Sequence, residues 1–176
     1  MQGSTSSLRS SDALRLLSSE GCDARLISHV KAVSKLAKQI AEKIKSKGIP
    51  IDVDFVEVAA LLHDIGRSKT HGIRHGVEGA AIMRAKGFEA YARVCERHIG
   101  AGLTKEEAKG LGLPEGDYLP ETLEEKVVTY ADKLIEGESV VPILDAIKDF
   151  KKKLGDDHPS IDRLRALAGY IISLTQ

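Results

Sequence analysis

Along most of the chain, apolar side chains recur at intervals of three and four, and no run of β-branched residues alternates with polar ones. This periodicity predicts helices throughout. A short first helix is expected near Ser11 to Ser19, and a longer one from about Asp23 to Lys47, with Asp23 as N-cap and Gly48 and Pro50 as the stop. The inner stripe of the second helix reads Leu26, Val30, Val33, Ala37, Ile40 and Ile44, and its other face is rich in lysine. A third helix starts at Asp52 or Asp54 and runs to the turn at Gly66. Helical spacing resumes from His75 to about Lys86, breaks at Gly87, and returns from about Glu89 to Ile99.

The segment from Gly100 to Glu121 departs from this pattern. Five glycines and two prolines between residues 100 and 120 surround one short helical piece, Thr104 to Lys109. It is the expected lid or substrate loop, with an ordinary surface connection as the alternative. Thr122 then caps a helix with Glu125 at the capping-box position, continuing through Val127, Val128, Ala131 and Ile135. Pro142 to Leu154 and Ser160 to Leu174 read as packing helices. The expected organisation is a flexible tail over 1–10 and one all-α domain over 11–176, with its functional core at about 23–140 and packing helices over 141–176.

Composition narrows the possibilities. The 26 Lys+Arg residues balance 26 Asp+Glu, so no global basic field draws in a nucleic acid polymer. Any polyanionic ligand is held locally. Cys22 and Cys95 lack CxxC spacing, which fits reduced thiols and a cytoplasmic setting. No apolar run approaches the ~20 residues of a membrane-spanning helix. A soluble protein is expected, as a monomer or a homo-oligomer.

Against this background His63-Asp64 stands out, because Phe55, Val56, Val58, Ala59, Leu61 and Leu62 lead into it. A buried lone carboxylate costs several kcal/mol or more. A divalent metal is the candidate compensation, and it needs further ligands. Of the six histidines, His29 flanks the apolar stripe of its helix, where a satisfied core histidine is the plain alternative. Asp132 shares a face with Val128 and Ile135, placing a carboxylate in an apolar stripe, with a buried salt bridge to an arginine as the alternative. Two imidazoles and two carboxylates from three helices suit one hard-to-borderline ion.

This order of a His, a His-Asp doublet in Leu61-Leu62-His63-Asp64-Ile65-Gly66, and a distant Asp resembles the HD superfamily of metal-dependent phosphohydrolases over roughly residues 23 to 140. The resemblance implies a helical bundle of the HD-domain type. His75 and His98 stand in the order used by HD members that hold a second metal, with Asp64 bridging. It therefore implies one or two divalent ions, of Mn, Fe, Ni, Zn or Mg, on His29, His63, Asp64, His75, His98 and Asp132. Paired ions in such centres sit roughly 3.5 to 4 Å apart.

The implied activity is hydrolysis of a nucleotide or other small phosphate ester by a metal-bound hydroxide, with His63, Asp64, Arg67 and Lys133 at the reacting centre. Arg67, Lys133 and Arg97 are the expected phosphate contacts, since a neutral protein must supply local cations. His71, in the loop, is an alternative to His75 as a ligand, and His158 is read as an exposed turn residue. The resemblance extends to HD enzymes that split dinucleoside polyphosphates. Two alternatives share the ligand set: a di-iron oxygenase of the same fold, and a metal-binding regulatory module.

Overall fold

The computed structural model describes residues 7–176. The helices are α1 (Ser10–Ser19), α2 (Ala24–Ser46), α3 (Val53–Leu62), α4 (His75–Ala85), α5 (Glu89–Arg97), α6 (Lys105–Gly110), α7 (Leu123–Lys133), α8 (Ile143–Leu154) and α9 (Pro159–Thr175). The fold is all-α, as the periodicity predicts. Residues 1–6 of the expected tail lie outside the described residues. Of the tail's other residues, Ser10 already belongs to α1 and Leu8 packs against the core.

The α3 helix is the centre of the bundle, with α1, α2, α5 and α7 packed around it. Its sequence explains this, since Val56, Val58, Ala59, Ala60, Leu61 and Leu62 are all buried. A short helix apolar on nearly every side belongs inside other helices. Asp52, not Asp54, is its N-cap, accepting a 2.9 Å hydrogen bond from the Phe55 amide. The α2 helix begins as expected, with the Asp23 carboxylate accepting from the Leu26 amide at 2.8 Å. It buries Val30, Val33, Ala37, Ala41 and Ile44, leaving Ile40 at the core edge.

Two helix ends differ from expectation. The α3 helix stops at Leu62, and a 3-10 turn over Ile65–Ser68 carries the chain away. At the other end of the site, α7 stops at Lys133. Ile135–Glu136 then pairs antiparallel with Ser139–Val140 as a hairpin, β1 and β2. Gly137, at φ +63°, makes its turn.

The 100–121 segment, the expected lid or substrate loop, is packed into the fold. Ile99, Leu103, Ala108, Leu113 and Tyr118 form a small core of their own. Leu103 and Tyr118 exchange backbone hydrogen bonds of 3.2 and 2.9 Å, and Arg163 of α9 grips Glu107 of α6 at 2.8 Å. Paired backbone, a filled core and an ion pair to another helix hold the segment in place. His158 is also more than a turn residue, because its Nδ1 accepts from the Ser160 amide and caps α9.

Candidate metal centre

Asp64 follows the C-terminus of α3 and heads the 3-10 turn, so its carboxylate is fixed from both sides. Gly66 makes this position possible. A Cβ there would run into the His75 carbonyl and the Gly79 amide, so only glycine lets the turn lie against α4. Gly76 and Gly79 do the same between α4 and α5, where added Cβ atoms would meet the Cys95 carbonyl at 2.9 Å and the Cys95 Cβ at 3.2 Å. These close approaches bring His75 and His98 up to Asp64.

The resulting geometry divides around one carboxylate. Asp64 Oδ1 lies 3.1 Å from His75 Nε2 and 3.2 Å from His98 Nε2. Its Oδ2 faces His63 Nε2 at 3.8 Å and His29 Nε2 at 4.0 Å. Asp132 completes the second side, with Oδ1 at 3.2 Å from His29 and 3.3 Å from His63. The six side chains named in the sequence thus converge from α2, the α3 end, α4, the α5 end and α7.

All four imidazoles are oriented in the same way. His63 Nδ1 donates to the Ala60 carbonyl at 2.7 Å, His75 Nδ1 to Gly72 at 2.8 Å, and His98 Nδ1 to Cys95 at 2.7 Å. His29 Nδ1 donates to the Gly137 carbonyl of the hairpin at 3.1 Å. With Nδ1 protonated, each ring presents an Nε2 lone pair inward, which is how ligating histidines are set by their outer-sphere partners. His63 Nε2 is fully buried without a hydrogen-bond partner. Two subsets, His29/His63/Asp132 and His63/Asp64/His98, bring their ligand atoms within 4.8 Å of one another. Lone pairs and carboxylates converging in a buried space fit a divalent cation.

Electrostatics agree with that reading. Burial opposes the charged form of Asp64, but His63 and the His75 and His98 rings beside it hold its carboxyl well below the ordinary range. Burial also opposes ionisation of Asp132, and Lys133 and His63 outweigh it. For His63, burial disfavours the charged form, yet Asp64 and Asp132 raise its pKa overall. The pocket demands positive charge at this point, and a cation meets the same demand.

A cleft of about 480 Å3 opens onto Asp64 and His29. Arg67 lines it, with Nε donating to Asp64 Oδ2 at 2.7 Å. The two other expected phosphate contacts do not line it. Lys133 is turned onto Asp132 Oδ2. Arg97, nearly buried at the end of α5, donates to the Leu119 carbonyl at 2.8 Å and pairs with Glu121 at 3.1 Å. Its guanidinium braces the 119–125 segment. Arg25, Ser68 and His71 line the cleft and were not among the expected substrate contacts. Arg25 precedes His29 by one helical turn, a spacing that places the two on one face.

The sequence model of the HD domain matches residues 26–136, well over half of the chain. The chain belongs to the HD domain family. An uncharacterized protein of Methanocaldococcus jannaschii is 55% identical over 154 residues, covering 87% of this HD protein and 91% of that one. Two proteins named tRNA (cytidine(56)-2'-O)-methyltransferase are also similar: that of Picrophilus torridus is 43% identical over 80% of this chain, and that of Thermoplasma volcanium 40% identical over 90%. The chain spans only 40% and 46% of their lengths. Among solved structures, the HD domain of the Listeria monocytogenes phosphodiesterase PgpH superposes with a TM-score of 0.55 at 17% identity, over 93% of this chain and 99% of that one. That likeness is one of fold. No helix among the described residues is long and apolar enough to cross a membrane.

Proposed function

We propose that this HD domain is a metal-dependent phosphohydrolase acting on a small phosphate ester, a nucleotide in the first instance. The observation that carries the reading is the division of Asp64, whose Oδ1 faces His75 and His98 while Oδ2 faces His29 and His63. His29, His63, Asp132 and Asp64 Oδ2 would hold one ion, and His75, His98 and Asp64 Oδ1 a second. Bound there, divalent ions supply Lewis acidity toward an attacking water and the phosphoryl oxygens. The Nδ1–carbonyl bonds keep every ring in its ligating tautomer, and Lys133 holds Asp132 ionised and oriented. Arg67, at the cleft wall beside Asp64, binds the phosphate. A cleft of about 480 Å3 is within the range of small-molecule sites. The methyltransferases that contain a similar region act, by their names, on tRNA, which favours a nucleotide-type ester over other phosphates.

The test is a screen of phosphorylated metabolites with manganese, magnesium, iron, nickel and zinc, alongside elemental analysis of purified protein. Phosphate release dependent on a bound ion supports the reading. Oxygen consumption with iron, and no phosphate release with any ion, overturns it in favour of a di-iron oxygenase.

A further inference from the structure

Departure of an alcohol from phosphorus requires a proton, and few groups at this cleft can deliver one. Guanidinium groups, here Arg25 and Arg67, do not release protons near neutrality. Lys69 is paired with Glu20 at 3.3 Å, and Lys133 is turned onto Asp132. Asp23 is occupied as the α2 cap. The Cys22 thiol, pushed up to about 11 by burial, has its Sγ toward the Ile65 carbonyl. The four centre histidines have both ring nitrogens committed, Nδ1 to carbonyls and Nε2 inward.

One imidazole remains. His71 lies on the connection between the 3-10 turn and α4, is exposed, and lines the same cleft as Asp64 and Arg67. It makes no hydrogen bond or ion pair among the described residues. An uncommitted imidazole at the wall of a phosphate cleft is suited to proton transfer at neutral pH. The charged and titratable groups that line the cleft with it are Asp23, Arg25, His29, Asp64 and Arg67, and Lys69 and Arg74 flank it in sequence.

We propose that His71 is the general acid of this site, a catalytic residue that protonates the leaving oxygen; this rests on the phosphohydrolase reading above. The oxygen of water bonds to phosphorus as the phosphorus–ester oxygen bond breaks. The bonding pair leaves on the ester oxygen, and the His71 imidazolium transfers its proton there, releasing a neutral alcohol. The attacking water loses its proton to solvent, and solvent, reaching His71 through the open cleft, restores the imidazolium.

General acid catalysis matters most for a poor leaving group. The experiment compares the manganese-loaded protein and His71→Asn on a nucleoside monophosphate, whose leaving group is an alcohol, and on 4-nitrophenyl phosphate, whose leaving phenolate needs no proton. Metal content and thermal midpoint are measured for both proteins. The expected result is a fall of about 10²-fold or more in kcat on the nucleotide, with the nucleotide-to-aryl rate ratio down at least ~10-fold and metal content unchanged. In the pH profile on the nucleotide, the limb at which activity declines toward alkaline pH disappears in the variant. An unchanged ratio, whether both rates fall together or neither falls, overturns the role of His71 while leaving the phosphohydrolase reading in place. No turnover of either ester by the unsubstituted protein overturns both.

Discussion

His75 Nε2 lies 3.1 Å from His98 Nε2, although both rings donate through Nδ1 to carbonyls three residues back. Two imidazole lone pairs facing each other at that distance repel unless something positive lies near both, and Asp64 Oδ1 shares the space. The burial of His98 pushes its pKa down to about 4, so its own proton does not resolve the conflict at neutral pH. Replacing the shared carboxylate removes the centre of the arrangement. Asp64→Ala is expected to lose bound metal and more than ~100-fold in activity, beyond the upper range for outer-sphere partners of a metal, while far-ultraviolet circular dichroism stays helical. Full activity in this variant overturns the proposed centre.

Metal loading should also stabilise the fold, because the ligands are assembled only in the folded chain. At an ion concentration of about 100 times Kd, linkage adds about 2.7 kcal/mol. Chelation should lower the thermal midpoint, and readdition of manganese should restore it. A midpoint indifferent to chelator and metal would count against an ion at these residues.

Arg67 is placed for binding. Arg67→Gln removes a charged hydrogen-bond donor worth roughly 1.5–3 kcal/mol, so kcat/KM for a phosphate ester should fall by about one to two orders of magnitude. Arg67→Lys should recover only part of it, since lysine lacks the planar fork. Steady-state kinetics with metal content held constant is the measurement.

Arg97 should behave in the opposite way. Its partners are the Leu119 carbonyl, Glu121 and Glu125, so Arg97→Gln is expected to cost about 1–3 kcal/mol of stability and leave KM near its original value. Urea denaturation and kinetics together separate this from a role in substrate binding.

The Glu107–Arg163 pair gives the fold a pH dependence outside the metal centre. Burial opposes ionisation of Glu107, but the Thr104 amide and Arg163 hold its carboxyl below the ordinary 4.5. The unfolded chain therefore takes up this proton first. The contribution is fully present above about pH 4.5 and is lost as pH falls through the lower folded value. Glu107→Gln should flatten that acid limb, read as urea midpoints across acidic pH.

Much of this protein was legible before any coordinates. The spacing of apolar residues in α2, the caps Asp23 and Thr122, and the apolar lead-in to His63 are local properties, set by helix geometry and by the cost of unpaired backbone and buried charge. Asp132 was visible for the same reason, as a carboxylate on an apolar face. The hairpin that follows Lys133 was not, because four strand residues carry no periodicity and Gly137 reads as any turn. Its effect reaches the site through the carbonyl that orients His29.

The basic residues show where the sequence stops. Arg67, Lys133 and Arg97 look alike as cations near proposed ligands, and only packing separates one that lines the cleft from one held on Asp132 and one that braces Leu119. The same holds for the 100–121 segment, whose glycines read as looseness until Leu103, Tyr118 and Arg163 are seen to pin it. Arg25 and His71 enter the cleft because α2 and the turn after Asp64 meet there. The sequence by itself determined which elements form and which side chains cannot be buried without a charge partner, since both depend on neighbours three or four residues away. Tertiary structure decided which cations face the cleft and how Asp64 divides between two sets of imidazoles. Those relations depend on glycine-permitted close approaches among the 3-10 turn, α4 and α5, and on the meeting of α2 with α7 from opposite ends of the sequence match.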